Sequence, residues 1–257
     1  MPETSSDSII QVSNLVKTYG DFNAVDGISF DVKKGEVFGI LGRNGAGKTT
    51  TLEIIETLKK QTSGEVIVNG YSVSDHPLQV KQSIGVQLQS TGFYPELTLV
   101  DLLNMFAAMY DVKIDPMKVL KQVDLEEKAN TFVNKLSGGQ KQRFAVVSTL
   151  INKPSVLFLD EPTTGLDPHA RASLWEVIRA INEEGTTIVL TTHYIEEAET
   201  LCDRVAIMDG GKIIKIDTPK RLINELIATG FKRETIRKEA TLEDVFMHLT
   251  GKGLSDE

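Results

Sequence analysis

The chain has 257 residues, 40% hydrophobic and 25% charged, enough for one large packed domain or one domain with a lobe inserted into it. A net charge of −8 argues against a nucleic-acid-binding surface, which is ordinarily basic, so no nucleic-acid partner is expected. The single cysteine, Cys202, excludes an internal disulfide and a cysteine zinc cluster and reads as a small buried residue, and the four histidines (His76, His169, His193, His248) lack metal-ligand spacing.

Apolar runs such as residues 144–151 fall well short of the roughly 18 residues of a membrane span. Residues 1–8 are polar, with neither a basic nor an apolar region, so no secretory signal and a cytoplasmic location are expected. In chain order, residues 9–16 and 28–32 predict the first strands, and the apolar run 36–41 between glycines predicts a buried one. A helix is expected from about 47 to 60 and a strand over 65–69, between the turn signals Ser63-Gly64 and Asn69-Gly70. Leu99, Leu102, Leu103, Phe106 and Met109 then fall at helical spacing, and Asp115-Pro116 marks a helix start, so residues 90–150 read as a helical lobe. Buried strands over 155–160 and 186–191 flank a helix lined by Leu174, Trp175, Val177, Ile178 and Ile181, which predicts a parallel α/β sheet. A hairpin around Asp209-Gly210-Gly211, a helix from about 219 and a last helix over 242–249 complete the chain.

Residues 42–49 read G-R-N-G-A-G-K-T, a phosphate loop placed between a strand and a helix. Glycines let backbone N–H groups curl around phosphates, and the helix start adds partial positive charge. Gly42, Asn44, Gly45, Ala46, Gly47, Lys48, Thr49 and Thr50 are therefore the expected ATP contacts, with Lys48 reaching the β and γ phosphates and the Thr49 hydroxyl on Mg²⁺. Residues 156–161 read V-L-F-L-D-E, placing two carboxylates at the C-terminal edge of a buried strand, where open α/β sheets bind ligands. Asp160 suits Mg²⁺, through water, and Glu161 suits polarising the attacking water.

Residues 136–140 read L-S-G-G-Q, followed by K-Q-R, and here the sequence resembles the ATP-binding cassette (ABC) family, whose signature this is. The resemblance covers about residues 9–220 and implies an α/β fold: a P-loop NTPase (RecA-like) core with a parallel sheet, an N-terminal antiparallel β subdomain and an inserted helical lobe. It implies an ATP-binding domain over residues 9–230 and a short helical tail over 231–257. It further implies that Tyr19 stacks on adenine, that Gln89 is the switch glutamine serving metal and catalysis, that Thr164-Gly165-Leu166-Asp167 is the D-loop with Asp167 binding the nucleotide, and that His193 is the switch histidine. Gln87 competes with Gln89: strand alternation points both to one face, and the family pattern after Ile84-Gly85 selects Gln89. Ser137, Gly138, Gly139 and Gln140 form a second anion nest at a helix start, which in the family faces ATP held by another subunit. The motif set occurs once, so a second ATP-binding subunit completes the sites, as a homodimer or a heterodimer.

The resemblance implies a cycle of closure on two ATP, hydrolysis, charge repulsion and reopening, useful only if coupled to a partner, expected as a transmembrane permease subunit at the cytoplasmic face of the membrane. Phe93 and Tyr94 beside Pro95 are candidates for its docking groove, the alternative being that they only pack the lobe onto the core. The segments 94–103 and 241–250 look like single-domain ATPases of bacterial drug, antibiotic or polysaccharide exporters, and the residues after 216 are too few for an importer's regulatory domain. A soluble ABC ATPase of cluster assembly, repair or translation and a non-hydrolysing ATP-gated regulator are the other readings; an intact Glu161 speaks against the last.

Overall fold

The structure is a computed structural model that describes residues 7–89, 92–231 and 240–250. The expectation for residues 1–6, and the parts of the 90–98 segment and of the tail at 90–91, 232–239 and 251–257, lie outside the described residues.

Two sheets divide the strands. The first is antiparallel, in the order β2-β1-β4-β5, from β1 (Ser8–Tyr19), β2 (Phe22–Lys33), β4 (Ser63–Val68) and β5 (Tyr71–Ser72). Its first two strands run past their apolar centres, paired with each other from Ser8–Lys33 to Tyr19–Phe22. The second sheet has the order β10-β9-β3-β8-β7-β6, from β3 (Val37–Leu41), β6 (Ile84–Gln87), β7 (Val156–Asp160), β8 (Thr187–Thr192), β9 (Arg204–Asp209) and β10 (Lys212–Asp217). Its pairs from β6 to β9 are parallel, and only the β9–β10 hairpin is antiparallel. Every residue of β3, β7 and β8 is buried, as continuous apolar strands with both faces covered must be.

Three cores result. The first fills the space between the two sheets around α1 (Lys48–Ile55), where the Phe30 and Phe38 rings stack 5.3 Å apart. The second covers the other face of the parallel sheet with α6 (Pro168–Glu183), α7 (Ile195–Leu201), α8 (Pro219–Ala228) and α9 (Leu242–Thr250). Cys202 lies buried in it. The third is the lobe, built on α3 (Leu99–Met109), α4 (Pro116–Lys121) and α5 (Gly138–Ser148). A short α2 (Pro77–Ser83), absent from the sequence reading, leads from the first sheet into β6.

Helix α1 ends earlier than its sequence suggests. Thr57 adopts φ 63, and the Thr57 and Leu58 N–H groups donate back to Ile54 and Glu53. This is a left-handed helix stop made without glycine, so no residue type announces it.

Candidate active site

The phosphate loop turns from β3 into α1 along a path that demands glycine. Gly47 has φ 102, and a Cβ there would stand 2.3 Å from the Ala24 carbonyl oxygen; at Gly42 it would stand 2.4 Å from that of Met208. The β9–β10 turn buttresses the loop, with Gly211 N–H donating to the Ala46 carbonyl at 3.0 Å. Lys48 is 4% exposed, donates to the Gly42 and Arg43 carbonyls at 2.9 and 3.1 Å, and pairs with Glu161 at 3.1 Å.

The acidic pair stands at the end of β7. The Thr49 hydroxyl lies 3.1 and 3.2 Å from the two Asp160 oxygens, and the Thr191 hydroxyl donates to one of them. Burial pushes the Asp160 carboxyl up, and the Thr191 and Thr49 hydroxyls act against it. Glu161 turns the chain at φ 48, its N–H donating to the Thr191 carbonyl and hydroxyl of β8. Its Oε2 meets His193 Nδ1 at 3.1 Å and accepts from the Thr164 hydroxyl at 3.2 Å. Lys48, Thr49, Asp160, Glu161 and His193, distant in sequence, therefore meet at one sheet edge. A hydroxyl and a carboxylate side by side suit Mg²⁺, a hard ion that takes oxygen ligands and shares its shell with water and phosphates. Thr191 escaped the sequence reading; a polar residue ending the strand beside β7 was the available signal.

The signature residues lie elsewhere. Ser137 caps α5 through a reciprocal capping box with Gln140, and Gly139 packs so close to α6 that a Cβ would stand 2.9 Å from that of Ala170. Asp167 caps α6, accepting from Ala170 N–H at 2.9 Å. Ser137, Gly138, Gly139, Gln140, Asp167 and His169 line one open cavity of about 410 Å³ that shares no lining residue with the phosphate loop. Tyr19 ends β1, 45% exposed, with the Lys17 ammonium 4.9 Å from its ring centre.

One sequence expectation is corrected. Gln87 and Gln89 do not share a face, because β6 ends at Gln87: Gln87 is 1% exposed and Gln89 is exposed. Phe93 and Tyr94 stand in different settings. Phe93 packs on Phe144 and Phe106 inside the lobe, with ring centres 5.2 and 6.4 Å away, whereas Tyr94 is 65% exposed.

A glycine loop gripping a buried lysine at a helix start, faced by two adjacent carboxylates at the end of one strand of the same parallel sheet, defines a P-loop ATPase. Residues 25–164 match the family described as ABC transporter. The linearmycin resistance ATP-binding protein of Bacillus subtilis is 39% identical over 256 residues, covering 93% of this chain and 82% of the relative. The Nod factor export ATP-binding protein I of Rhizobium etli is 42% identical, covering 85% and 71%. Among solved structures, an ATP-binding subunit of an ABC transporter superposes with a TM-score of 0.81 at 27% identity, covering 95% of this chain and 100% of that one. A dimeric ATP-binding cassette in a post-hydrolysis state with ADP and Pi superposes at 0.73 and 29% identity, covering 81% and 98%. The chain belongs to the ABC transporter family and is one of its ATP-binding, ATP-hydrolysing subunits.

Proposed function

We infer that this chain pairs head to tail with a second ATP-binding subunit and spends ATP to drive a transmembrane partner in export. The observation that carries this reading is the separation of the two half-sites: the Ser137–Asp167 cavity holds none of the phosphate-loop residues, so one chain supplies each half to a different nucleotide. Export is supported by relatives named for Nod factor export and linearmycin resistance, and dimerisation by the dimeric cassette of similar fold. No described helix is long and apolar enough to cross a membrane, which fits a peripheral subunit at the cytoplasmic face.

In this reading Tyr19 stacks on the adenine, while Gly42, Asn44, Gly45, Ala46, Gly47 and Thr50 line the phosphate path. Thr49, Asp160 and Gln89 would hold Mg²⁺, which neutralises phosphate charge when bound. Lys48 exchanges Glu161 for the phosphates, since a dense negative charge outcompetes one carboxylate. That exchange frees Glu161 Oε1 to polarise the attacking water, while His193 steadies Oε2. Ser137, Gly138, Gly139, Gln140 and Asp167 close on the ATP of the other subunit.

The test is light scattering of Glu161→Gln protein with ATP and Mg²⁺. The variant binds ATP without turning it over, so mass is expected to shift from monomer to dimer on adding ATP. An unchanged mass in protein shown separately to bind ATP would count against self-pairing.

A further inference from the structure

Behind the catalytic turns a carboxyl group lies wholly inside the protein. Glu197, on α7, has no exposed surface, and its Oε1 accepts a hydrogen bond from the Trp175 indole of α6 at 3.1 Å. Burial pushes this carboxyl up, and the nearby Thr192 hydroxyl, Trp175 indole and Thr163 hydroxyl work in the opposite direction. Yet Oε2 has no hydrogen-bond partner among the described residues, and neither has the Thr163 hydroxyl, which is itself fully buried. A buried acceptor and a buried donor that acts on the same carboxyl are thus both without a bond, a costly arrangement.

The placement of the two threonines gives this pair its meaning. Thr163 stands two residues after Glu161. Thr192 directly precedes His193, and its hydroxyl accepts from Tyr194 N–H at 2.9 Å, which closes the turn carrying that histidine. One carboxyl therefore borders both segments whose tips make the 3.1 Å contact between Glu161 and His193.

We propose that Glu197 is a positioning residue for ATP hydrolysis, taking a hydrogen bond from the Thr163 hydroxyl and thereby tying the Glu161 turn to the His193 turn. The proposal rests on the reading of Glu161 and His193 as the hydrolytic pair. The Trp175 indole fixes Oε1 from behind, which leaves Oε2 for Thr163. Forming that bond pairs two buried atoms at once. Glu197 touches no substrate and acts only through the geometry of the two turns.

Steady-state hydrolysis by the full chain separates this role from simple core packing, with kcat and KM measured independently. Glu197→Leu keeps the shape and removes both acceptors; kcat is expected to fall about tenfold or more, with KM for ATP within about twofold. Glu197→Gln is expected to restore kcat to within about threefold, because its amide accepts from the indole and donates to the Thr163 oxygen. Thr163→Val should reproduce the Leu loss, and the two changes together should cost no more than either alone. If Glu197→Leu fails to fold, the Trp175→Phe/Glu197→Leu double variant, which leaves no orphan indole donor, takes its place. Unchanged kcat in the folded Leu variant, or losses that multiply in the double, overturns the proposal. Full hydrolysis by Glu161→Gln would instead overturn the reading of the pair on which it stands.

Discussion

Glu56 closes the phosphate-loop helix and is 2% exposed, with Oε1 unpaired among the described residues. Burial, then the charges of Asp160 and Glu53, push its carboxyl up to about 8. The folded chain therefore keeps a proton there that the unfolded chain gives up above its ordinary value of 4.5. Stability accordingly falls as pH rises from about 4.5 to about 8, and the cost is complete above that range. Glu56→Gln carries the neutral shape at every pH. Chemical denaturation should find it more stable than the parent by about 4 kcal/mol at pH 8, with the gap closing toward pH 4.5. A gap of constant size across that range would mean that Glu56 is ionised in the fold. At neutral pH the proton also spares Asp160 a second negative neighbour beside Glu161.

At the scale of elements, the cap of α5 joins a stabilising role to a proposed functional one. Ser137 Oγ accepts from Gln140 N–H at 3.3 Å, and Gln140 Oε1 accepts from Ser137 N–H at 3.0 Å. Removing the hydroxyl with Ser137→Ala should cost about 1 kcal/mol, or about 2–4 °C in a chain of this size. It should also abolish the ATP-dependent dimer in the Glu161→Gln background, read by light scattering. A dimer that survives a measured loss of the cap would reduce Ser137 to a structural role. The strands and loops around this site were legible because their signals are local: apolar runs for β3 and β7, glycines where only glycine fits, a carboxylate pair ending a strand. The stop of α1 was not legible, since Thr57 adopts a glycine-like backbone without being glycine. Nor were Thr191 and Glu197, whose partners lie 31 and 22 residues away and meet them only through the sheet and the helix layer. Gln87 was misread because period-two reasoning holds only while a strand continues, and β6 stops there.

The whole molecule hangs the lobe on the ATP-binding core through α5, whose Val146 packs in the sheet core while Phe144 and Val147 pack in the lobe core. Arg143 of α5 reaches Ser173 of α6 at 3.1 Å, a polar tie beside the same junction. Movement at the phosphates can reach the lobe by this route or by the chain leaving β6, which passes exposed Gln89 and enters the lobe at Phe93. The split between Phe93 and Tyr94 makes the second route testable. Phe93 anchors the segment in the lobe core, so Phe93→Ala should destabilise the lobe by about 1–3 kcal/mol. Tyr94 is turned to solvent, so Tyr94→Ala should leave unfolding unchanged. A large exposed aromatic five residues after Gln89, the proposed switch glutamine, is the kind of anchor a partner helix buries, and interfaces draw much of their energy from such side chains. Tyr94→Ala should therefore release the membrane subunit in co-purification while ATP binding stays intact. Retained association would place the docking surface elsewhere on the lobe; lost association with unchanged stability would assign it to this turn.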